Sequence, residues 1–414
     1  MNSPCRNNKT IEIAINNSSL LLTLLAPMKK KLFRVSAISG SLAVLLKGQL
    51  RFMNEYYDVT GIASDGYQHQ NIRDNEGIET IPVRINRKIN LVEDIVSLYK
   101  LYRIFKAEKP FIVHSLTPKA GLLSMMAAYL AGVPHRMHTF TGLIFPTQQG
   151  FMKKVLIFFD KVICFCATNV YPEGEGVKRD MIRYGITKKP LKVICNGNVN
   201  GIDLSLFDPD LYDGKKQAEI RGEWGIENSD FVLSFIGRIV VDKGIVEMVT
   251  AFITICETHK NVKLLLVGPK EEELAPLPDR IEREIDENPN IILSGWQQDV
   301  RPFFAITNVF VFPSYREGFP NVVLQAGAMG KFCIVTDING SREIVEEGIN
   351  GTIIPVKDVS ALTTAMCDVV ENSAAYKSPN ATYRALIAQK YEQKLVWQAQ
   401  LEEYRRLDSK QSDD

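Results

Sequence analysis

The chain has 414 residues, 45% of them hydrophobic and 23% charged, more than one core usually organises, so two globular domains are expected. A net charge of +1 offers nucleic acid no electrostatic foothold, and no apolar run of about 18 residues or more provides a membrane span. Seven cysteines without disulfide-type spacing point to a reduced, cytoplasmic compartment.

Residues 1–27 hold the short apolar run Ser18–Ala26, but Met28-Lys29-Lys30-Lys31 ahead of a strand has the look of a natural beginning. Residues 1–27 are therefore expected to be a disordered extension, with a first domain over 28–205. Its opening strand runs into the small-residue turn Ser39-Gly40-Ser41, either a phosphate cradle or a plain tight turn, and then a helix over Leu42–Asn54. Strands are expected at Val59–Ala63, Thr80–Val83 and Phe111–His114, and helices at Leu91–Lys106 and Lys119–Ala131. The segment from Arg136 leads through His138 into Gly142, which places that histidine near a strand end; His114 ends another strand and competes with it. Phe151–Asp160, with Lys153 and Lys154, fits a helix packed on a sheet or one resting on an anionic membrane surface. Val162–Ala167 reads as a strand with Cys164 and Cys166 on one face. Pro172-Glu173-Gly174-Glu175-Gly176 follows, and a turn from Asn196 to Asp203 closes the domain.

A second domain is expected over 206–382. Asp208-Pro209-Asp210 has the form of a metal pair but lies in a Pro- and Asp-rich linker, so a turn and no catalytic metal are expected. The strand Phe231–Ile236 ends at Gly237-Arg238, and Lys243-Gly244 opens the helix Ile245–Thr258. Two cations beside a helix N-terminus can hold a diphosphate and stabilise charge as it departs. A strand over Lys263–Gly268 precedes a second one running into Gly295-Trp296-Gln297. Val309–Phe312 is a strand, Tyr315–Pro320 a polar loop, Asn321 a helix N-cap and Phe332–Val335 the next strand. That loop lies at the C-terminal strand edge, where doubly wound sheets bind ligands. Glu317 suits sugar hydroxyls, and Gly318 admits a close backbone approach. Gln325 stands about 12 Å along if the span is helical, roughly the reach from a hexose across a diphosphate to a ribose. Residues 383–414 are expected to form a helix that crosses back to the first domain.

EGFPNVVLQAGAMG resembles the E-x7-E segment of the retaining family 4 glycosyltransferases, with Gln325 in place of the second glutamate. The spacing of Gly237, Arg238, Lys243 and Gly244 resembles their diphosphate clamp, and HTFTG their H-x-G-type segment. The resemblance spans about residues 32–407 and implies an α/β GT-B fold, two Rossmann-like doubly wound domains facing a cleft. It implies retaining transfer from a nucleotide-sugar, with UDP-sugar expected, to a polyprenyl-diphosphate-linked saccharide of capsule or O-antigen type. No cofactor beyond that co-substrate and no metal are implied; the location is cytoplasmic, with peripheral contact at the inner membrane face. The implied roles are Arg238 and Lys243 on the diphosphate, Glu317 on the donor sugar, Gln325 on the ribose and His138 completing the sugar pocket. The backbone of Gly318, Phe319, Pro320 and Asn321 meets phosphate or sugar, Gly237 the phosphates, Gly295, Trp296 and Gln297 the base, and Gly40 borders donor and acceptor. A nucleotide-sugar epimerase of the same fold and a non-catalytic sugar-nucleotide-binding subunit stand as alternatives.

Overall fold

The computed structural model describes residues 29–86, 90–271 and 276–409; the expected extension 1–27 lies outside them. Two parallel sheets of six strands organise these residues. The first contains β1 (Lys31–Ile38), β2 (Asp58–Ser64), β3 (Glu79–Pro82), β4 (Ile112–Leu116), β5 (His135–Phe140) and β6 (Asn169–Pro172), in the order 3-2-1-4-5-6. The second contains β7 (Phe231–Ile236), β8 (Val262–Val267), β9 (Ile291–Gly295), β10 (Val309–Phe312), β11 (Phe332–Thr336) and β12 (Gly351–Ile354). Read as β9-β8-β7-β10-β11-β12, the second sheet repeats the order of the first. Each therefore reverses direction at one point, between β1 and β4 and between β7 and β10, and loops leaving those strands form the crevice of a doubly wound sheet. The central strands are continuous apolar runs because helices cover both faces: every residue of β7 and of β10 is buried.

Three elements differ from the sequence expectation. Val162–Ala167 is not a strand; the helix Gly150–Cys166 continues through it, and β6 follows. Ile163 and Cys164 are buried while Phe165 is exposed, a helical rather than alternating pattern that a six-residue apolar run does not reveal by itself. The helix expected over Leu42–Asn54 is two, Ser39–Leu45 and Gln49–Asn54, parted at Gly48, where a Cβ would lie 2.6 Å from the ring of Trp397. The final helix is also two, Ala381–Tyr391 and Gln393–Ser409, parted at Glu392. At that break Ile202 N donates to Tyr391 O at 2.8 Å and Gln393 N donates to Ile202 O at 3.0 Å, so the two chain crossings between the lobes run side by side. Beyond it, Leu401, Tyr404 and Leu407 join a buried cluster with Leu32, Leu42 and Ile112 of the first lobe.

Candidate active site

The C-terminal edge of the second sheet gathers most of the chemistry. β7 delivers Gly237 and Arg238, and its neighbour β10 delivers Ser314 and Glu317, so both sets sit at the same switch point. Lys243 ends a single 3-10 turn and forms an ion pair with Glu317, whose Oε1 also accepts from Ser314 Oγ at 3.2 Å. Both partners of that pair are mostly buried, at 15% and 20% side-chain exposure. Arg238 is paired with Glu271 at 2.7 Å and half exposed. β9 ends at Gly295; Trp296 beyond it is exposed, and Gln297 Nε2 donates to Ser294 O at 2.9 Å. Asn321 is the first residue of its helix rather than the cap; its Oδ1 instead accepts from Asn198 Nδ2 of the first lobe at 2.7 Å. Gln325, one turn further on, keeps a buried Oε1 with no donor among the described residues, an acceptor that a ligand hydroxyl would satisfy. Asp208 accepts from Asp210 N at 3.2 Å, a local turn, and the described residues hold no cluster of three or more metal-ligand side chains.

The first lobe closes on this edge. Gly318 lies against Thr141 and Gly142 so tightly that a Cβ on it would overlap Thr141 O, so only glycine fits the loop there. His138 does not share that contact. It is 1% exposed, hydrogen-bonded through Nδ1 to Ser115 Oγ at 2.8 Å, edge-on to Phe140, and covered by Gly121, whose Cβ would overlap the ring. Burial drives its pKa down to about 3, so it is a neutral packing residue beneath the cleft. The structure places His138 behind the cleft surface, and the residues that meet the Glu317 loop are Thr141 and Gly142, which follow β5. His114, the competitor, is buried too, bonded to Tyr404 Oη at 2.7 Å and Thr139 Oγ1 at 2.8 Å. Gly40 lies in the first turn of its helix, and no atom lies within 4 Å of its Cβ position.

Two glutamates join the site: Glu173, in the segment 172–181 that the resemblance aligns with a helix carrying a glutamate near the cleft, and Glu343, which was not among the expected site residues. Glu173, at the end of β6, is 7% exposed. Burial, and after it the carboxylates of Glu317 and Glu343, push its pKa up to about 8 against a hydrogen bond from the Val199 backbone, so it is neutral at pH 7. Glu343 spans the lobes. Its Oε2 accepts from Glu175 N at 2.7 Å, and its Oε1 accepts from Gly176 N at 2.9 Å and from Gly340 N at 3.3 Å. The first two donors open the helix Glu175–Arg183, where unpaired N–H groups and the helix dipole favour an anion. The signal in the sequence was the alternation Glu-Gly-Glu-Gly at 173–176. A Cβ at Gly174 would stand 2.6 Å from Glu343 Oε2, and one at Gly176 would overlap Asn339.

Two cations, a carboxylate and a helix N-terminus at the switch points of facing Rossmann-like sheets form a site for an anionic, hydroxylated ligand. A family profile described as "Glycosyl transferases group 1" matches residues 230–372, and one described as "Glycosyl transferase 4-like" matches residues 39–169. The capsular polysaccharide biosynthesis glycosyltransferase CapM of Staphylococcus aureus is 33% identical over 89% of this chain and 95% of its own. The chain belongs to this glycosyltransferase family. The glycosyltransferase is also 28% identical, over 81% of its length and 86% of the other's, to an Escherichia coli enzyme, UDP-Gal:alpha-D-GlcNAc-diphosphoundecaprenol alpha-1,3-galactosyltransferase. Its fold matches that of Anabaena Alr3699/HepE in complex with UDP, at a TM-score of 0.75 and 16% identity over 91% of this chain and all of that one. The fold is thus GT-B.

Proposed function

We propose that this glycosyltransferase moves a sugar from a UDP-sugar to a lipid-diphosphate-linked saccharide of a surface polysaccharide, with retention at the anomeric carbon and without a metal ion. The observation that carries the reading is the Lys243–Glu317 pair beside Arg238 at the edge of the second sheet. A leaving nucleoside diphosphate gains negative charge, and preorganised cations in a site with little water stabilise it most. Arg238 and Lys243 fill that role when they exchange Glu271 and part of Glu317 for phosphate oxygens. Freed of its cation, Glu317 accepts from sugar hydroxyls, and Gln325 Oε1 accepts from the ribose.

Retention rests on the resemblance to the retaining family 4 enzymes, and the carboxylates limit the route a retaining transfer can take. Double displacement needs a free carboxylate nucleophile about 5 Å from its acid partner. Glu317 is occupied by Lys243 and, with donor bound, by sugar hydroxyls, and Glu173 is neutral and buried. Same-face transfer remains: the acceptor oxygen forms the new bond to the anomeric carbon as the bond to phosphate breaks, and the acceptor proton passes to the departing phosphate oxygen. The lipid-linked acceptor rests on the acceptors that the Escherichia coli relative's name states. Peripheral membrane contact is supported by exposed Phe151, Met152, Phe158 and Phe165 alongside Lys154 and Lys161 on the helix Gly150–Cys166. No helix among the described residues is long and apolar enough to cross a membrane.

The test begins with UDP-, GDP- and ADP-sugars in a melting assay, where a bound donor raises the melting temperature. Glu317→Ala and Lys243→Ala are then expected to abolish transfer, by about 100-fold or more, while melting like the parent. Added chelator is expected to leave the rate unchanged, and the product glycoside to keep the donor's anomeric configuration by NMR. Near-normal turnover in either variant removes that residue from the site, and an inverted product ends the same-face mechanism.

A further inference from the structure

The first lobe carries a cavity of about 510 Å³ that the donor chemistry does not use. It lies among three helices, Leu91–Glu108, Pro118–Ala131 and Gly150–Cys166, and its walls include Leu98, Leu122, Met126, Leu156, Phe159 and Ile163. Protein interiors seldom leave unfilled space of this size, and voids between apolar side chains forfeit contacts that a ligand can restore. Two features of its position say what kind of ligand fits.

One end meets the cleft. Ser41 and Gly142 belong to the wall; Gly142 is the residue packed on Gly318, directly after Glu317 in the chain. Whatever fills the cavity therefore reaches the place where the sugar is handed over. The rim is open to solvent and apolar. Leu91 and Ile95, also in the wall, are 72% and 66% exposed, and Val92 beside them is 74% exposed. A ligand with its polar end at the cleft and a long apolar remainder against these walls matches both features at once.

The charges agree. Lys119 and Asp94 line the cavity as an ion pair at 2.8 Å with 14% and 17% side-chain exposure, so a cation is held close to the apolar wall. A phosphate oxygen can take the place of the Asp94 carboxylate at that ammonium. Asp160 is the other acid in the wall, and burial lifts its pKa to about 7, so near neutral pH it carries only part of a full negative charge against an anionic ligand.

Resting on the lipid-linked acceptor proposed above, we infer that this cavity holds the first part of the acceptor's isoprenoid chain, with its diphosphate near Lys119 and its sugar at Gly142. The acceptor is then gripped as a lipid, and the enzyme distinguishes prenyl diphosphates from soluble sugars of the same structure. Membrane adsorption through the exposed face of the helix Gly150–Cys166 is a separate contact, made by different side chains.

Titration calorimetry with farnesyl diphosphate and with inorganic diphosphate tests this on the full chain. Farnesyl diphosphate is expected to bind saturably, one per chain, and inorganic diphosphate at least tenfold more weakly. Ile95→Trp and Leu98→Trp fill the space from two positions. Because Ile95 is two-thirds exposed, its replacement keeps the fold, and a melting curve like that of the parent verifies this. Each is expected to weaken farnesyl diphosphate at least tenfold, while the shift in melting temperature caused by UDP-sugar stays as in the parent. Phe151→Ser and Phe158→Ser, which change only the outer face, are expected to bind it normally. Equal affinity in both tryptophan variants overturns the inference, as does loss of binding in the outer-face variants instead, which would mean surface adsorption. Failure of UDP-sugar to shift the parent's melting temperature would sink the donor reading alone.

Discussion

At the level of single side chains, the residues legible in the sequence are those whose chemistry is set by near neighbours in the chain. Arg238, Lys243, Glu317 and Gln325 follow strands or open helices, and the spacing alone puts them on one sheet edge. The burial of Glu173 and of His138 was not legible, because distant segments make it. Glu173 leads to a pH prediction. Its folded pKa, about 8, lies above the ordinary 4.5, so the neutral form persists in the fold while an unfolded chain would ionise. Stability from this group is therefore complete below about pH 4.5 and is lost as pH rises through 8. In the cleft, ionisation sets a third negative charge beside Glu317 and Glu343. Turnover is expected to fall as pH rises through about 8, and Glu173→Gln, which keeps the shape without the charge, should lack that alkaline limb. Rates from pH 6.5 to 9.5 decide it; an identical limb in the variant assigns the titration elsewhere. Gln325 leads to a second. Gln325→Ala removes one hydrogen bond made equally to bound donor and transition state, about 1 kcal/mol. Donor KM should rise roughly fivefold with kcat nearly unchanged; a kcat loss as large would give Gln325 a part in the chemistry.

Strands and helices were legible where a run was long or strongly patterned. Phe231–Ile236, Val309–Phe312 and Ile245–Thr258 occupy the residues read from the sequence. Two of the three misread stretches are settled by tertiary contacts, whereas the run Val162–Ala167 was too short to show its period. Gly48 parts two helices because the Trp397 ring fills the space a side chain would need. The last helix, Gln393–Ser409, owes its place to Glu403, whose carboxylate is 1% exposed and accepts from Tyr171 Oη at 2.7 Å, Lys192 Nζ at 2.6 Å and Arg406 Nη2 at 2.6 Å. Burial opposes ionisation there, but the three donors outweigh it and hold the pKa down to about 2. A depressed carboxyl pKa gives stability that is present above the unfolded value near 4.5 and is lost as pH falls toward 2. Glu403→Gln is thus expected to cost about 1–3 kcal/mol at pH 7, with the gap to the parent narrowing on acidification. Urea melts at pH 7 and pH 3 measure both. A constant gap would mean the network is held by shape rather than charge.

For the whole molecule, the question is what keeps the two lobes at the separation that brings Gly318 onto Thr141. The chain crosses between them at two adjacent segments, around Ile202 and around Glu392. Paired crossings at one end make a hinge, and a contact between the lobes close to it, where Tyr391 Oη donates to Glu343 O at 2.9 Å, can define the closed state. Glu343 supplies it. Its carboxylate accepts from Glu175 N and Gly176 N across the gap, Asn339 Nδ2 donates to Asp180 Oδ2 at 2.7 Å, and Asn198 donates to Asn321. Charge-assisted bonds to a helix N-terminus are worth more than neutral ones, so the closed state should depend strongly on Glu343. Glu343→Gln weakens the acceptor and turns an amide N–H₂ toward backbone donors; Gly176→Ala drives a Cβ into Asn339. Both are expected to leave donor affinity within about twofold, since the donor residues Arg238, Lys243 and Gln325 all lie on the second lobe. Both should lower kcat tenfold or more and raise the share of donor lost to hydrolysis, because an unclosed cleft admits water. Small-angle scattering, or fluorescence transfer between labels on the two lobes, should report a wider mean separation in the variants. If the separation is unchanged while kcat falls, Glu343 acts on the chemistry rather than on closure. If neither changes, the lobes are held together by the hinge alone.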